Sequence, residues 1–525
     1  MTKIFLALLL SFSACAALAA PDAARVRQLA AEDSDQKLAA IQALALSADP
    51  DALPLLQAMA EDRLYVAGKQ VFIKDGDRTT DAITGKPAVA PENAESVSVN
   101  NRIRGELGNA LAALQLFAPE RDLRLASAKL LQASASAELA PLLAKAKEKE
   151  SDPEIKAMLV QAHAQASLGD KNPTVRIEAV KTLAESGSPA VKSLLQPMTL
   201  EANESNQQVR LEAVAAIKAI ESRLAWSENI GRVFSGLSLG SILLLAALGL
   251  AITYGVMGII NMAHGELLMV GAYAAYAMQS LFRAYFPGAE NWYLLAAVPV
   301  GFFSAALVGV VMERTVIRWL YGRTLETLLA TWGLSLVLIQ AARVLFGAQN
   351  VEVSNPSWMS GGIELLPNMV LPWNRIIIIG FALFVLVLVW VLMNKTRLGM
   401  FVRAVTQNRA MAGCVGVPTS RIDTMAFALG AGIAGLGGVA LSQISNVGPD
   451  MGQGYIVDSF MVVVLGGVGQ LAGAVWAALG LGIVTKLLEG WAGAVIAKIV
   501  VLVFIIIFIQ KRPQGLFALK GRFVD

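Results

Sequence analysis

Histidine and cysteine are nearly absent from this 525-residue chain: His163, His264, Cys15 and Cys414 are the whole complement. So few cannot make an HExxH or CxxC motif, and a protein metal site lacks ligands. No GxxxxGK[ST] string occurs, so the chain cannot hydrolyse ATP by a phosphate-loop mechanism on its own. Charge is also scarce. Asp, Glu, Lys and Arg make up 16% of residues against 55% hydrophobic, with a mean hydropathy of +0.57. That excludes a wholly soluble protein of ordinary composition. No set of nucleophile, base and metal can be assembled, so the reading is of a chain that is not an enzyme and carries no cofactor.

What is present is unevenly spread. MTKIFLALLLSFSACAALAA places Lys3 before a short apolar core and small residues at Ala17 and Ala19, the pattern of a secretory signal over residues 1–19. A lipoprotein signal ending at Cys15 is the alternative, with Phe12 where Leu is usual. Residues 20–228 are rich in Ala, Lys, Glu, Asp and Gln, whereas 229–525 consist of long apolar runs broken by short basic loops.

The first of these regions repeats a helical pattern: KLAAIQAL from Lys37, RLASAKLL from Arg124, KAMLVQAHA from Lys156, RIEAVKTL from Arg176 and RLEAVAAIKAI from Arg210. The last two arginines are 34 residues apart, and the motif is similar to HEAT-type repeats, predicting an α-solenoid or irregular helical array. From Tyr65 to about Asn100 β-rich runs surround a Lys-Asp-Gly-Asp turn, which predicts a short inserted hairpin. His163 reads as a helix-packing residue.

In the apolar region nine spans are expected, near 234–256, 259–281, 293–312, 327–346, 375–393, 422–442, 456–469, 471–488 and 493–510. The seventh, about 14 residues long, falls short of the ~20 a straight crossing needs. Glycines at 466, 467 and 469 suggest that it is broken or re-entrant. Basic residues gather at Arg314, Arg318 and Arg323, at Lys395, Arg397, Arg403, Arg409 and Arg421, and at Lys511, Arg512, Lys520 and Arg522. The other loops hold Glu290, Glu352, Glu364, Asp450 and Asp458 against Arg283 and Arg375. By the positive-inside rule the basic set and the C-terminus are cytoplasmic and the N-terminal domain is exported. With spans flanking each basic block, the charge is read as topology and not as nucleic-acid binding.

Between Tyr254 and Tyr276 an apolar stretch carries Asn261, His264 and Glu266 amid glycines. Ionisable groups at bilayer depth are expensive and normally face a bundle interior or a water path. His264 and Glu266 are two residues apart, about 200° around a helix, so they reach different partners, in structural or transport roles. The charge-derived topology puts all three at the cytoplasmic end of the first crossing and the start of the second, suiting an inner gate. Gln340, Ser335 and Gln443 are further polar groups in the spans, and Gln443 joins the trio as a translocation candidate. So little fixed charge suits a neutral solute.

Three ordered strings carry a family resemblance. YGVMGIINMAHGELLMVGAY from Tyr254, TRLGMFVRAVTQNRAMAGCVGV from Thr396, and FALGAGIAGLGGVAL with GPDMGQGYIVDSFMVVVLGGVGQLAGAVWAALG from Phe427 onward resemble the branched-chain amino acid class of ABC importer permeases, over about 233–515. An exported domain of about 200 residues before the permease resembles the urea permease subunits within that class. The resemblance implies an all-α polytopic permease of the bacterial inner membrane, preceded by a periplasmic helical-repeat domain with a short β insertion. It implies as partners a second related permease, two cytoplasmic ATP-binding subunits, a periplasmic solute-binding protein and membrane lipid, but no nucleic acid. It also marks the loop around 396–417 as the ATPase contact, with Arg403, Asn408 and Arg409 facing the ATPase and Gly399 and Gly413 bounding the docking element. A branched-chain amino acid permease and a passive urea or amide channel are the alternative readings.

Overall fold

The computed structural model describes residues 23–47, 52–68, 70–76, 78–89, 91, 94–366 and 369–517. The signal, with Lys3 and Cys15, and the tail residues Lys520 and Arg522 lie outside the described residues. The chain divides into two compact units, Met1–Leu224 and Ala225–Asp525.

The first unit is a succession of short helices: α1 Ala23–Leu29, α2 Ser34–Ser47, α3 Ala52–Ala60, α4 Asn101–Gln115, α5 Arg121–Ser134, α6 Ala140–Lys149, α7 Pro153–Ala166, α8 Pro173–Ala184 and α9 Pro189–Leu195, followed by the start of α10, Gln207–Met257. Their starts are written in the sequence. Asp152, Asn172 and Ser188 each accept a backbone N–H of the following turn, and each is followed by proline at the first helical position. There its missing N–H costs nothing and its fixed φ suits the helix.

The arginines of the repeated motif perform one job at each recurrence. Arg124 donates to Glu150 and to the carbonyls of Ala118 and Pro119. Arg176 makes a two-pronged bond to Glu204, 2.7 Å on each arm, and also reaches the carbonyls of Asp170 and Lys171. Arg210 reaches the Glu204 and Ser205 carbonyls. Each guanidinium thus closes the turn before its own helix. Those of Arg124 and Arg176 also tie down a carboxylate one helix further on, in the turns before α7 and α10, which explains why the motif recurs although its spacing drifts.

The expected hairpin is a fuller sheet. Strands β1 Leu64–Ala67, β2 Gln70–Asp75, β3 Arg78–Asp81 and β4 Glu95–Ser96 pair antiparallel in the order β3-β2-β1-β4. Val71 and Phe72 are buried, and Gly76 takes a φ of +62° after β2, a conformation that favours glycine.

The second unit contains the rest of α10, then α11 His264–Tyr285, α12 Tyr293–Thr315, α13 Thr324–Phe346, the hairpin β5 Gly362–Leu366 and β6 Met369–Pro372, α14 Trp373–Lys395, the short helices α15 Arg397–Gln407 and α16 Arg409–Cys414, α17 Thr419–Ser442, α18 Met451–Gly466, α19 Leu471–Ala492 and α20 Ala494–Lys511. Among the described residues seven of these helices are long and apolar enough to cross a membrane: α10, α12 with the turn before it, α13, α14, α17, α19 and α20. The other two expected spans exist as helices with shifted bounds. α11 starts at His264, five residues later than expected, and Glu266, Gln279 and its tyrosines lower its hydropathy. α18 has 16 residues, starts at Met451 and ends where Gly467 turns to a φ of +101°. Asp458, read as a loop residue, therefore lies inside a helix.

α17 is the buried centre, and α11, α12 and α17 pack most extensively on one another. Their approach is backbone to backbone: a Cβ on Gly271 would lie 2.6 Å from the Cα and carbonyl carbon of Gly435, and one on Gly435 would lie 2.6 Å from the Ala305 Cβ. Small residues there let the helices close without side-chain spacers.

Candidate functional site

The helical run of α10 ends at Met257, and Gly258 turns it with a φ of +66°. Residues 258–263 are not helical. They double back, because the His264 ring meets the carbonyl of Ala246 at 2.9 Å, eleven residues or roughly 16 Å before the end of α10 at 1.5 Å per residue. α11 therefore begins about half-way along the apolar part of α10, from residue 234 to Met257. The placement of this segment at the end of the first crossing is corrected: Asn261, His264 and Glu266 sit at mid-depth of the helix bundle. The charge pattern carries no signal for a chain that re-enters.

A break at that depth needs its backbone groups covered. Asn261 does part of this, accepting the Ala263 N–H on its side chain at 3.1 Å and the His264 N–H on its carbonyl. Thr331 of α13 accepts the Met262 N–H. As the two-residue spacing requires, His264 and Glu266 diverge: His264 turns to α10, and Glu266 accepts a bond from Ser335 of α13 at 2.5 Å. A carbonyl can only accept, so His264 Nε2 carries a hydrogen.

Three atoms here have no hydrogen-bond partner among the described residues, namely Asn261 Nδ2, His264 Nδ1 and Glu266 Oε2, all on residues no more than 1% exposed. Buried polar groups are nearly always bonded, so each such atom calls for an explanation. Glu266 Oε2 faces Gly452 at the start of α18, where any added Cβ would strike it.

Gln443 is not brought to this trio. It caps the far end of α17, where Tyr293 donates to it at 3.2 Å and to the Ser354 carbonyl at 2.9 Å. Gly430 packs on Gly249 near His264, and Gln443 lies thirteen residues, about 20 Å, further along the helix. Gln340 is on the outside of the unit, whereas Ser335 is buried.

The 396–417 segment forms an elbow. Gly399 lies against the Met393 backbone so tightly that no Cβ fits, whereas Gly413 stands in the last turn of α16 with open space around it. The three side chains expected to face the ATPase also hold the elbow together. Arg409 turns its guanidinium to the buried Asp423 of α17 while its side chain stays 40% exposed, and Asn408 caps α16 through the Met411 N–H. Arg403 keeps an exposed side chain but donates back to the Met393 carbonyl. The exposed face of the elbow mixes the apolar Met400, Met411 and Val415 with Arg397, Arg403 and Gln407.

Sequence reading missed a charged cavity of about 240 Å³ between α10, α18, α19 and α20. Asp458 and Lys498 pair across it at 3.5 Å and Lys486 and Glu489 at 2.5 Å, with Tyr455 and Thr485 beside them. The single charges are too far apart in sequence to signal a cluster. A GxSxG string at Gly236–Gly240, also missed, lies within the unbroken α10, with Gly236 and Gly240 packed on the α19 backbone. It is no strand-to-helix nucleophile elbow. Among the described residues no group of three or more His, Cys, Asp or Glu could hold a metal ion.

The family described as "Branched-chain amino acid transport system / permease component" matches residues 232–509, more than half the chain. The chain belongs to that family. Among its relatives, the high-affinity branched-chain amino acid transport system permease protein LivH of Salmonella typhimurium is 28% identical over 294 residues, covering 54% of this chain and 94% of the relative. BraD of Pseudomonas aeruginosa, a protein with the same description, is 27% identical over 291 residues, 54% and 94% of the two chains. The ribose import permease protein RbsC of Escherichia coli is 27% identical over 287 residues, 53% and 84%. No solved structure matches the chain. As a permease of this family, it is a transport component of the ABC type and not an enzyme.

Proposed function

We propose that this permease is the membrane subunit of an ABC importer for urea or a close short-chain amide. It works in the bacterial inner membrane with a second related permease, two cytoplasmic ATP-binding subunits and a periplasmic solute-binding protein. The residues before the first crossing form an exported, HEAT-like domain following a signal peptide, and the C-terminus is cytoplasmic. The observation that carries the solute class is the set of unpartnered atoms at the α10–α11 break. Asn261 Nδ2 offers hydrogens, and Glu266 Oε2 offers a lone pair. Urea and simple amides present the complement, a carbonyl acceptor and N–H donors, and need no ion pair.

A second reading, a branched-chain amino acid, is favoured by the names of LivH and BraD and by the cavity holding Asp458, Lys498, Lys486 and Glu489, whose paired charges and apolar wall of Leu239, Leu243 and Leu481 match a zwitterion with an aliphatic side chain. Reconstitution of the full complex decides between them. ATP-driven, binding-protein-dependent uptake of labelled urea that excess leucine does not reduce is expected. Uptake of leucine in place of urea would replace the first reading by the second, and swelling of liposomes holding this chain alone would point to a passive channel.

A further inference from the structure

The inward turn of Arg409 joins it to a buried network. Its guanidinium bonds Asp423, which is 1% exposed, and lies 5.2 Å over the ring of Tyr321. Tyr321 donates to Glu313 at 2.9 Å and contacts the Met257 sulfur, the last residue of α10, at 3.3 Å. Glu313, fully buried at the end of α12, also accepts from Thr424 of α17 at 2.7 Å. Arg318 stands 3.8 Å from Glu313 and donates to Ser420 at 2.8 Å. Two cations and two carboxylates thus balance across α16, α17, the end of α12 and the end of α10. Tyr321 lies outside the spans. Burial first, and then the Glu313 carboxylate, hold its phenol above the usual value, so it stays a donor.

The geometry points to Arg409 as a positioning residue that ties the 397–414 elbow to α17 and, through Tyr321 and Glu313, to α10. Asp423 is its acceptor on α17, and α17 carries Gly430 against the α10 backbone at Gly249, beside the His264 bond to Ala246. A displacement of the elbow by a partner on its exposed Met400, Met411 and Val415 face therefore reaches the α10–α11 break through rigid helices. Coupling then requires that both ends bias one element with two arrangements. This inference rests on the reading of the chain as an ATPase-driven permease.

The test is made in proteoliposomes holding the complete complex, scoring ATP hydrolysed per solute taken up, with labelled urea and labelled leucine as probes. Arg409→Gln is expected to raise that ratio by about tenfold, inside the roughly 5- to 150-fold span of ordinary couplings. The reversal Arg409→Asp with Asp423→Arg is expected to restore it, and Arg283→Gln, whose exposed ion pair with Glu290 lies away from this network, to leave it near wild type. An unaltered ratio in Arg409→Gln, or a parallel loss of hydrolysis and uptake that the reversal does not repair, overturns the inference. A wild-type complex with no ATP-dependent uptake of either solute would instead sink the functional reading beneath it.

Discussion

Replacing Gly271 by alanine tests the backbone-to-backbone packing of α11 on α17. The added Cβ would sit 2.6 Å from two backbone atoms of Gly435 and closer still to its carbonyl oxygen, where carbon atoms rest at about 3.5–4.0 Å. No rotamer relieves a clash with backbone, so the helices must part by roughly 1 Å. A gap of that size forfeits about a quarter to a half of each dispersion contact along the seam. Overpacking typically costs about 1–3 kcal/mol, and backbone atoms on both sides place this case at about 3 kcal/mol. Gly380 of α14 is the matched control, because a Cβ there meets nothing within 4 Å. Thermal unfolding of the detergent-solubilised protein should put Gly271→Ala several degrees below wild type, roughly 6 °C at ~2 °C per kcal/mol for a large unit, with Gly380→Ala within about a degree. Equal midpoints for the two variants would refute the packing argument.

In the helical unit, Arg176→Gln leaves the buried Glu204 without its two-pronged partner and should cost about 3 kcal/mol, read by hydrogen exchange of α8 and α9 in the full chain. The Arg176 hydrogen bonds hold the Glu204 carboxyl below its usual range. Its stabilisation is therefore present above the unfolded value, about 4.3, and is lost as pH falls through the folded value. An acid titration of exchange protection should show a step below about pH 4.3 in wild type that the variant lacks. Asn100→Ala removes the side-chain acceptor for the Ile103 N–H and should cost about 1 kcal/mol, appearing as faster exchange confined to the first turn of α4. Ser335→Ala takes away the donor to Glu266, at about 1–3 kcal/mol for a buried charged acceptor. Reduced solute uptake in complexes of unaltered subunit composition is the expected readout, and full uptake would remove Glu266 from the transport path.

The sequence showed most of the helices because their signals are local: apolar length for the spans, and the recurring apolar pattern from Lys37, Arg124, Lys156, Arg176 and Arg210 for the first unit. It also separated His264 from Glu266 correctly, since helical angle follows from spacing alone. It failed where placement depends on what the chain meets later. Nothing near Gly258 says that residues 258–263 turn back into the bundle, because that path is set by Ala246, Thr331 and Gly452 from three other helices. The inward turn of Arg409 was hidden for the same reason: an all-basic stretch looks solvated until Asp423, two residues beyond its end, folds back beneath it. Asp458 was assigned by charge to a loop, and its partner Lys498 lies forty residues away.

The re-entry at Gly258 has an electrostatic consequence. Because α11 starts in the middle of the bundle, its aligned peptide dipoles bring the equivalent of about half a positive charge to that depth, and Glu266 stands in the first turn of that helix. The Glu266 carboxyl group meets peptide dipoles and one hydroxyl, with no Lys or Arg among the described residues hydrogen-bonded to it. On the transport path proposed above, a solute would meet a fixed field of hydrogen-bonding dipoles there, so selection at this point would act on the solute's own dipole and leave its net charge to be screened elsewhere.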